Sequence, residues 1–328
     1  MDILIIGCGS MGSNHVRVLN ELKEIENIFV FDTERNIQKT VGELEKVSVF
    51  NSFEQALNSK PDGVVVATPT NTHYSIAEKI INAEIPLLIE KPITKTVAEG
   101  LELVKKAELK KIPLLVGHIE RFNPAVQELK KNCDALGKLV YCSAHRFGIP
   151  TSKDIGPAVL DQGVHDIDVI SFLLNTSPST VLAMQRKILD KNSADVFSGI
   201  FNYDNLIASI EVNRVSPIKI RELILVGLEG IAKLDYVTQD LTLFIGDHAK
   251  KTYGSFDKTA PQIGIVSTIK PSFIKREPLQ GELIHFINCI KNSELPLVSG
   301  RDAVAAVAAV QASIISCETG KTELIQIP

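Results

Sequence analysis

The sequence predicts an α/β protein of two domains: a doubly wound parallel sheet at residues 1–120, then an α+β domain with a mostly antiparallel, open sheet at residues 121–328. Two observations carry that expectation. The 328-residue chain exceeds the roughly 250 to 300 residues that one hydrophobic core supports. Its first third also alternates short apolar runs with longer segments of helical period, whereas the pattern after ERFNPAVQELKKN turns to long alternating runs.

The elements follow in order. DILIIG, SNHVRVLNELKE, NIFVFD, GVVVAT, HYSIAEKIINAE, PLLIE, VAEGLELVKKAELKK and PLLVGH make up the first domain, which ends near His118. Apolar runs of four to six residues separated by 3.6-period segments indicate βαβ units with helices on both faces of the sheet. In the second domain KLVYCSAHRFG, STVLAMQRKIL, DVFSGIFNY with LIASIEVNRVS, and KIRELILVGL with IAKLDYV read as strands. Two pairs are joined by hairpin-like turns at Asp204-Asn205 and Glu229-Gly230. One helix, roughly residues 163–174, interrupts them, and residues 254–278 read as a loop or an edge excursion. AVAAVAAVQASIIS, residues 303–316, reads as a close-packed helix shorter than the roughly 20 residues of a membrane span.

Composition narrows the class. With 45% apolar and 23% charged residues the chain resembles an ordinary globular protein. A net charge of -4 and scattered Lys and Arg argue against a nucleic-acid partner, which demands a basic stripe. The five cysteines show no C-x-x-C and no paired spacing, so neither a zinc site nor a disulfide framework is expected, and a reducing, cytoplasmic setting fits. The N-terminus lacks the basic n-region of a signal peptide, and no membrane partner is expected.

Gly7, Gly9 and Gly12 form G-x-G-x-x-G between a strand and a helix, with Ser10 and Met11 inside the loop and Asp32 closing the next strand. This is the context of a dinucleotide fingerprint. The glycines let the backbone approach a pyrophosphate at a helix N-terminus, and the acid accepts hydrogen bonds from the ribose hydroxyls. A carboxylate there repels a 2′-phosphate, so NAD is expected over NADP, with Arg35 as a solvated loop residue and Cys8 as small filler.

Oxidising a secondary alcohol asks for a base near neutral pKa and a positive charge near the oxygen, which His165 and Lys91 can supply. Asp161, His165 and Asp168 stand at i, i+4 and i+7 and are expected on one helix face, where either acid can orient the imidazole. H-D-I-D has no second ligand cluster, so no metal is expected. Lys91 follows a buried-looking strand at the end of the sheet where α/β proteins bind ligands, and the bond before Pro92 is left open between cis and trans.

GCGSMG, ATPTNTH after the fourth strand, EKP after the fifth, and LDQGVHDID together resemble the glucose-fructose oxidoreductase and inositol dehydrogenase family, Gfo/Idh/MocA, across essentially the whole chain. The resemblance implies a Rossmann domain and a catalytic set of Lys91, Asp161 and His165. His165 would be the base, Asp161 its partner or a substrate ligand, and Lys91 the group that polarises the hydroxyl and contacts the nicotinamide ribose. Thr68, Asn71, His73 and Glu90 would line the nicotinamide half of the cofactor groove.

GHIERFNPAV, RFG, VHDIDVISFLL and SPIKIRELILVGLEGIAKLDY resemble the branch that contains the UDP-N-acetylglucosamine 3-dehydrogenases. Arg121 and Arg146, with Asn123 as a neutral donor, are then candidates for the substrate diphosphate, against ordinary roles in structural ion pairs and a helix start. Arg214, where an aromatic residue is common, and GIPTSKDIGPAV depart from the branch. The family resemblance also implies a homo-oligomer, a dimer or a tetramer. Two alternatives stand: a dehydrogenase of a free polyol, inositol or aldose, and a non-catalytic nucleotide-sensing regulator, which could dispense with the Lys91 and His165 retained here.

Overall fold

A computed structural model describes residues 1–34, 41, 44–149, 156–189, 191–246 and 266–327. The chain forms two compact units, Met1–Phe122 with Arg276–Ala308, and Asn123–Lys275 with Ala309–Gln326.

The first unit holds a six-stranded parallel sheet in the order β3-β2-β1-β4-β5-β6. Its strands are β1 (Asp2–Ile6), β2 (Asn27–Phe31), β3 (Val47–Val49), β4 (Gly63–Val66), β5 (Leu87–Glu90) and β6 (Leu114–Gly117). The helices among them are α1 (Ser10–Glu21), α2 (Phe53–Asn58), α3 (His73–Asn82) and α4 (Val97–Lys110). The short strand β3 and the helix α2 are additions to the elements expected from the sequence.

Alternate strand residues enter opposite cores, as a pleated backbone requires. Leu4, Ile6, Val64, Val66, Leu87 and Ile89 face a core shared with Ile80 of α3 and Leu103 of α4. Ile3, Ile5, Val65 and Leu88 face the other, with Val16 and Leu19 of α1 and with Leu283 and Phe286 of the later helix α7 (Pro278–Asn292). The expectation assigned all of residues 121–328 to the second domain, yet α7 packs here. The reason is apolar coverage: α3 and α4 both lie on one face, and burying Leu283 and Phe286 on the other contributes about 1.5–3 kcal/mol apiece.

The second unit is built on a nine-stranded sheet in the order β14-β13-β12-β11-β7-β10-β9-β8-β15. It comprises β7 (Leu139–Phe147), β8 (Thr180–Arg186), β9 (Val196–Tyr203), β10 (Leu206–Asn213), β11 (Ile220–Gly227), β12 (Gly230–Asp235), β13 (Asp240–Gly246), β14 (Val266–Ile269) and β15 (Glu323–Leu324). Every neighbouring pair is antiparallel except β7 with β10. The hairpin at Asp204-Asn205 forms as expected, with Asp204 at φ 46°. The second turn is Leu228-Glu229, one residue earlier than expected, because Gly230 already pairs with Ile245 on β13. Residues 266–269 are the edge strand β14, and the part of the expected excursion before residue 266 lies outside the described residues.

The helices of the second unit are α5 (Pro124–Asn132) and α6 (Val164–Leu174), and α8 (Gly300–Thr319) spans residues assigned to both units. At 20 residues α8 outlasts the stretch expected for it and is long and apolar enough to cross a membrane by length and composition, with 56% of that window buried inside the protein. Ala303 to Val310 are buried throughout, the pattern of a core helix.

Candidate active site

In the first unit the loop from β1 to α1 has the geometry its glycines suggest. Gly7 sits at φ +87°, and a β-carbon on it would come 2.8 Å from the Ala67 carbonyl oxygen. A β-carbon on Gly12 would lie 1.9 Å from the Gly7 oxygen, so the helix can start only against a bare backbone. Gly9, the N-cap of α1, has nothing within 4 Å of an added β-carbon. The first turn of α1 carries no acid, and no side chain caps it. An open backbone cradle at an uncapped helix N-terminus fits the pyrophosphate of a dinucleotide.

Asp32 is tied to this loop. Its Oδ2 accepts from the Cys8 N–H at 2.5 Å and its Oδ1 from the Glu34 N–H at 2.7 Å, which aims the carboxylate while leaving each oxygen a lone pair. Cys8 is buried, and burial followed by the Asp32 charge pushes its thiol up, as suits a filler rather than a redox group. Arg35 lies outside the described residues.

The loops after β4 and β5 are braced together. His73 is 1% exposed, with Nε2 facing the Thr68 carbonyl at 2.8 Å and Nδ1 facing the Pro92 carbonyl at 2.9 Å. The Lys91–Pro92 peptide is cis. Thr72 donates to the Thr68 hydroxyl at 2.8 Å. Glu90 is buried, its Oε1 2.8 Å from His15 Nε2 and its Oε2 accepting from the Lys91 N–H at 3.2 Å. Burial pushes the Glu90 carboxyl up, but the hydrogen bond and charge of His15, with the charge of Lys91, outweigh it and hold the group below its ordinary range. His73 and Glu90 therefore brace the loops from inside, while Thr68, Asn71 and Lys91 keep exposed surface.

In the second unit, Val159–Gly163 forms a π-helical turn that runs into α6. Asp161 stands in this wider turn and not in the α-helix, so the expected i, i+4, i+7 face is broken between Asp161 and His165. Such insertions are frequent at functional sites. From Gln162 to Ile170 every residue is buried except His165, which keeps part of its surface. Asp161 Oδ2 accepts from Arg214 Nη2 at 3.0 Å, and Arg214 Nη1 donates to the Gly156 carbonyl at 2.7 Å. The arginine that departs from the branch pattern thus fixes the acid expected to work beside His165. Asp168 is 1% exposed.

The three candidates for a substrate diphosphate hold structural contacts, the ordinary roles that stand beside that expectation. Arg146 is 1% exposed, donates from Nε to Asp166 Oδ2 at 2.7 Å, and lies 4.7 Å from the centre of the Tyr236 ring. Arg121 donates to the Leu297 carbonyl at 3.0 Å and lies 3.5 Å from Asp302. Asn123 caps α5 through the Ala125 N–H and donates to the Tyr236 carbonyl, both at 3.1 Å. A guanidinium with its carboxylate inside the protein is costly to redirect toward a ligand.

His15, Asp166 and Glu282 also stand in these clusters, with no role expected for them from the sequence. Two carried a signal: His15 lies three residues after Gly12 on the buried side of α1, and Glu282 interrupts the apolar stripe Leu279, Leu283, Phe286 of α7. A charged residue at a core position asks for an explanation.

A Rossmann unit with an open cradle at a helix N-terminus defines the class, a dinucleotide-binding protein. The chain belongs to the Gfo/Idh/MocA oxidoreductase family: residues 1–118 match its NAD-binding Rossmann-fold domain and residues 132–325 its C-terminal alpha/beta domain. It is 28% identical to the UDP-N-acetylglucosamine 3-dehydrogenase of Acidithiobacillus ferrooxidans over 94% of this chain and 96% of that one. It is 24% identical to the scyllo-inositol 2-dehydrogenase (NAD(+)) of Bacillus subtilis, over 91% and 89%. A solved structure of the Acidithiobacillus enzyme superposes with a TM-score of 0.84 at 25% identity, covering 97% of this chain and 98% of that one.

Proposed function

We propose that this protein oxidises a secondary hydroxyl of a sugar to a ketone with NAD, and that its substrate is UDP-N-acetylglucosamine, oxidised at the 3-hydroxyl. The observation that carries the choice of substrate is the match to the UDP-N-acetylglucosamine 3-dehydrogenase, which runs through both domains and nearly the full length of both chains. The bound nicotinamide would supply the hydride acceptor. His165, half-buried in the first turn of α6, takes the hydroxyl proton, and Asp161, held by Arg214, offers a fixed negative charge or a substrate hydrogen bond. Lys91 stabilises the oxygen as its negative charge develops, a service that counts most where water is excluded. Gly7, Gly9, Ser10, Met11 and Gly12 hold the pyrophosphate, and Asp32 selects NAD over NADP.

A free polyol is the second reading, supported by the match to the inositol dehydrogenase and by the structural engagement of Arg121, Arg146 and Asn123. The test is the absorbance of reduced nicotinamide when purified protein meets NAD or NADP with UDP-N-acetylglucosamine, its uronate, glucose or myo-inositol, with a carbonyl trap to pull the equilibrium. Reduction with the UDP-sugar alone supports the reading. Reduction with a free polyol keeps the catalytic residues and overturns the substrate.

The chain also self-associates in this proposal, through the open face of the nine-stranded sheet. Leu182, Met184, Ile200, Ile207, Tyr141 and Ile231 alternate with buried neighbours and remain 39–66% exposed. An apolar patch of that kind marks an interaction site. Sedimentation of Ile200→Asp with Ile207→Asp is expected to give a lighter species than the unmodified protein, and identical masses would overturn this interface.

A further inference from the structure

Under the sheet of the first unit three titratable side chains meet away from water. His15 of α1 and Glu282 of α7 are 0% exposed and Glu90 at the end of β5 is 7% exposed. A nitrogen or oxygen from each lies within 4.8 Å of the others. His15 faces Glu90, as described, but among the described residues neither oxygen of Glu282 has a hydrogen-bond partner, and neither does His15 Nδ1.

Charge accounting constrains this cluster. Two ionised carboxylates so close together inside a protein repel strongly, and each loses its hydration. One imidazole can neutralise only one of them, and it is already engaged with Glu90. Charged groups on the elements packed around the cluster have their own partners. Arg17 of α1 pairs with Glu277 at the start of α7, and Arg121 binds the Leu297 carbonyl and Asp302. Lys91 follows Glu90 directly and adds a positive charge beside it, and His118 and Glu120 lie on the turn after β6.

We propose that Glu282 is kept as the neutral carboxylic acid, and that His15, Glu90 and Glu282 form a buried positioning network that leaves one negative charge, on Glu90, beside Lys91. Glu282 has no contact with the reacting atoms in this scheme; it acts through Glu90. Burial, and then the Glu90 charge, push the Glu282 carboxyl well above its ordinary range, in the same direction as the geometry. The consequence is a fixed counter-charge at the turn that carries Lys91. The link to Lys91 rests on the function proposed above, whereas the protonation of Glu282 does not.

Infrared spectroscopy of the intact protein, with its glutamate carboxyl groups labelled with carbon-13, tests the protonation without substrate. A label-sensitive carbonyl stretch of a protonated acid is expected at neutral pH, and it should vanish in Glu282→Gln. Absence of that band in the unmodified protein would overturn the proposal, as would a stoichiometric divalent metal in the purified protein. The kinetic arm is the pH profile of kcat. Glu282→Gln, which keeps a neutral group in place, should leave the alkaline limb where it is. Glu90→Gln, which removes the anion, should move that limb to lower pH, because an ammonium beside fewer negative charges gives up its proton more easily. A shift in Glu282→Gln would mean that Glu282 is ionised, and no shift in Glu90→Gln would sever the network from Lys91.

Discussion

Each unit holds buried or half-buried carboxylates near its candidate functional residues, but under opposite charge balances. In the second, Asp166 meets the guanidinium of Arg146 at 2.7 Å and Asp161 meets that of Arg214 at 3.0 Å, so each of these negative charges has a permanent cation. In the first, Glu90 and Glu282 face a single imidazole. An arginine stays charged at any pH a protein survives, so the pairs of the second unit do not respond to protons in the working range. A cluster of two acids and one histidine relieves its excess charge only by binding a proton. Of these buried or half-buried acids, the pair in the first unit is therefore the one expected to respond to protons.

Removing the residues that each cluster supports should have the largest effect. Lys91→Ala and His165→Ala are each expected to lower kcat by about 10²–10⁴-fold while folding and NAD binding persist, as measured by turnover beside cofactor titration. Normal turnover in either variant would remove the mechanism from that unit.

Asp166→Ala comes next. It strands the Arg146 guanidinium inside the second unit and should cost about 3–5 kcal/mol of stability, seen as a lower denaturant midpoint. An unchanged midpoint would show that Arg146 does not depend on the pair.

Glu282→Gln should act with the opposite sign. A carboxyl whose native pKa is raised binds its proton more tightly folded than unfolded, so it lowers stability as pH rises from the unfolded value, about 4.3, toward the native one. Replacing it with glutamine removes that loss. The variant should equal or exceed the unmodified protein in thermal stability, with an advantage that grows between pH 5 and 8 on the ordinary carboxylate scale. A fixed difference across that range would place Glu282 with the permanently paired acids of the second unit.

The smallest of these effects is expected at Asp32, which is only partly buried and accepts hydrogen bonds from the backbone of its own loop. Asp32→Ala should weaken NAD binding by about 1.5–3 kcal/mol, the worth of hydrogen bonds to a charged group, and narrow the preference over NADP. Tighter binding of NADP than of NAD by the unmodified protein would overturn the role given to that carboxylate.

Local chemistry determined much of this protein from the sequence alone. G-x-G-x-x-G specifies a turn that only glycine can make, and the structure shows Gly7 at positive φ and Gly12 against the Gly7 carbonyl. Apolar runs such as GVVVAT and PLLIE specify buried parallel strands, because a strand covered on both faces has no polar side to show. Alternation in LIASIEVN specifies a sheet with one open face.

Pairings between residues distant in sequence were decided only by the tertiary structure. Nothing in RFG or VNRVSP announces that Arg146 pairs with Asp166 or Arg214 with Asp161. Likewise α7 leaves no local sign that it covers the first sheet, or that Glu282 completes a cluster begun by His15. Helical and strand periods record which side of an element is buried. They do not record what lies opposite, and the charge of a buried group is set by what lies opposite.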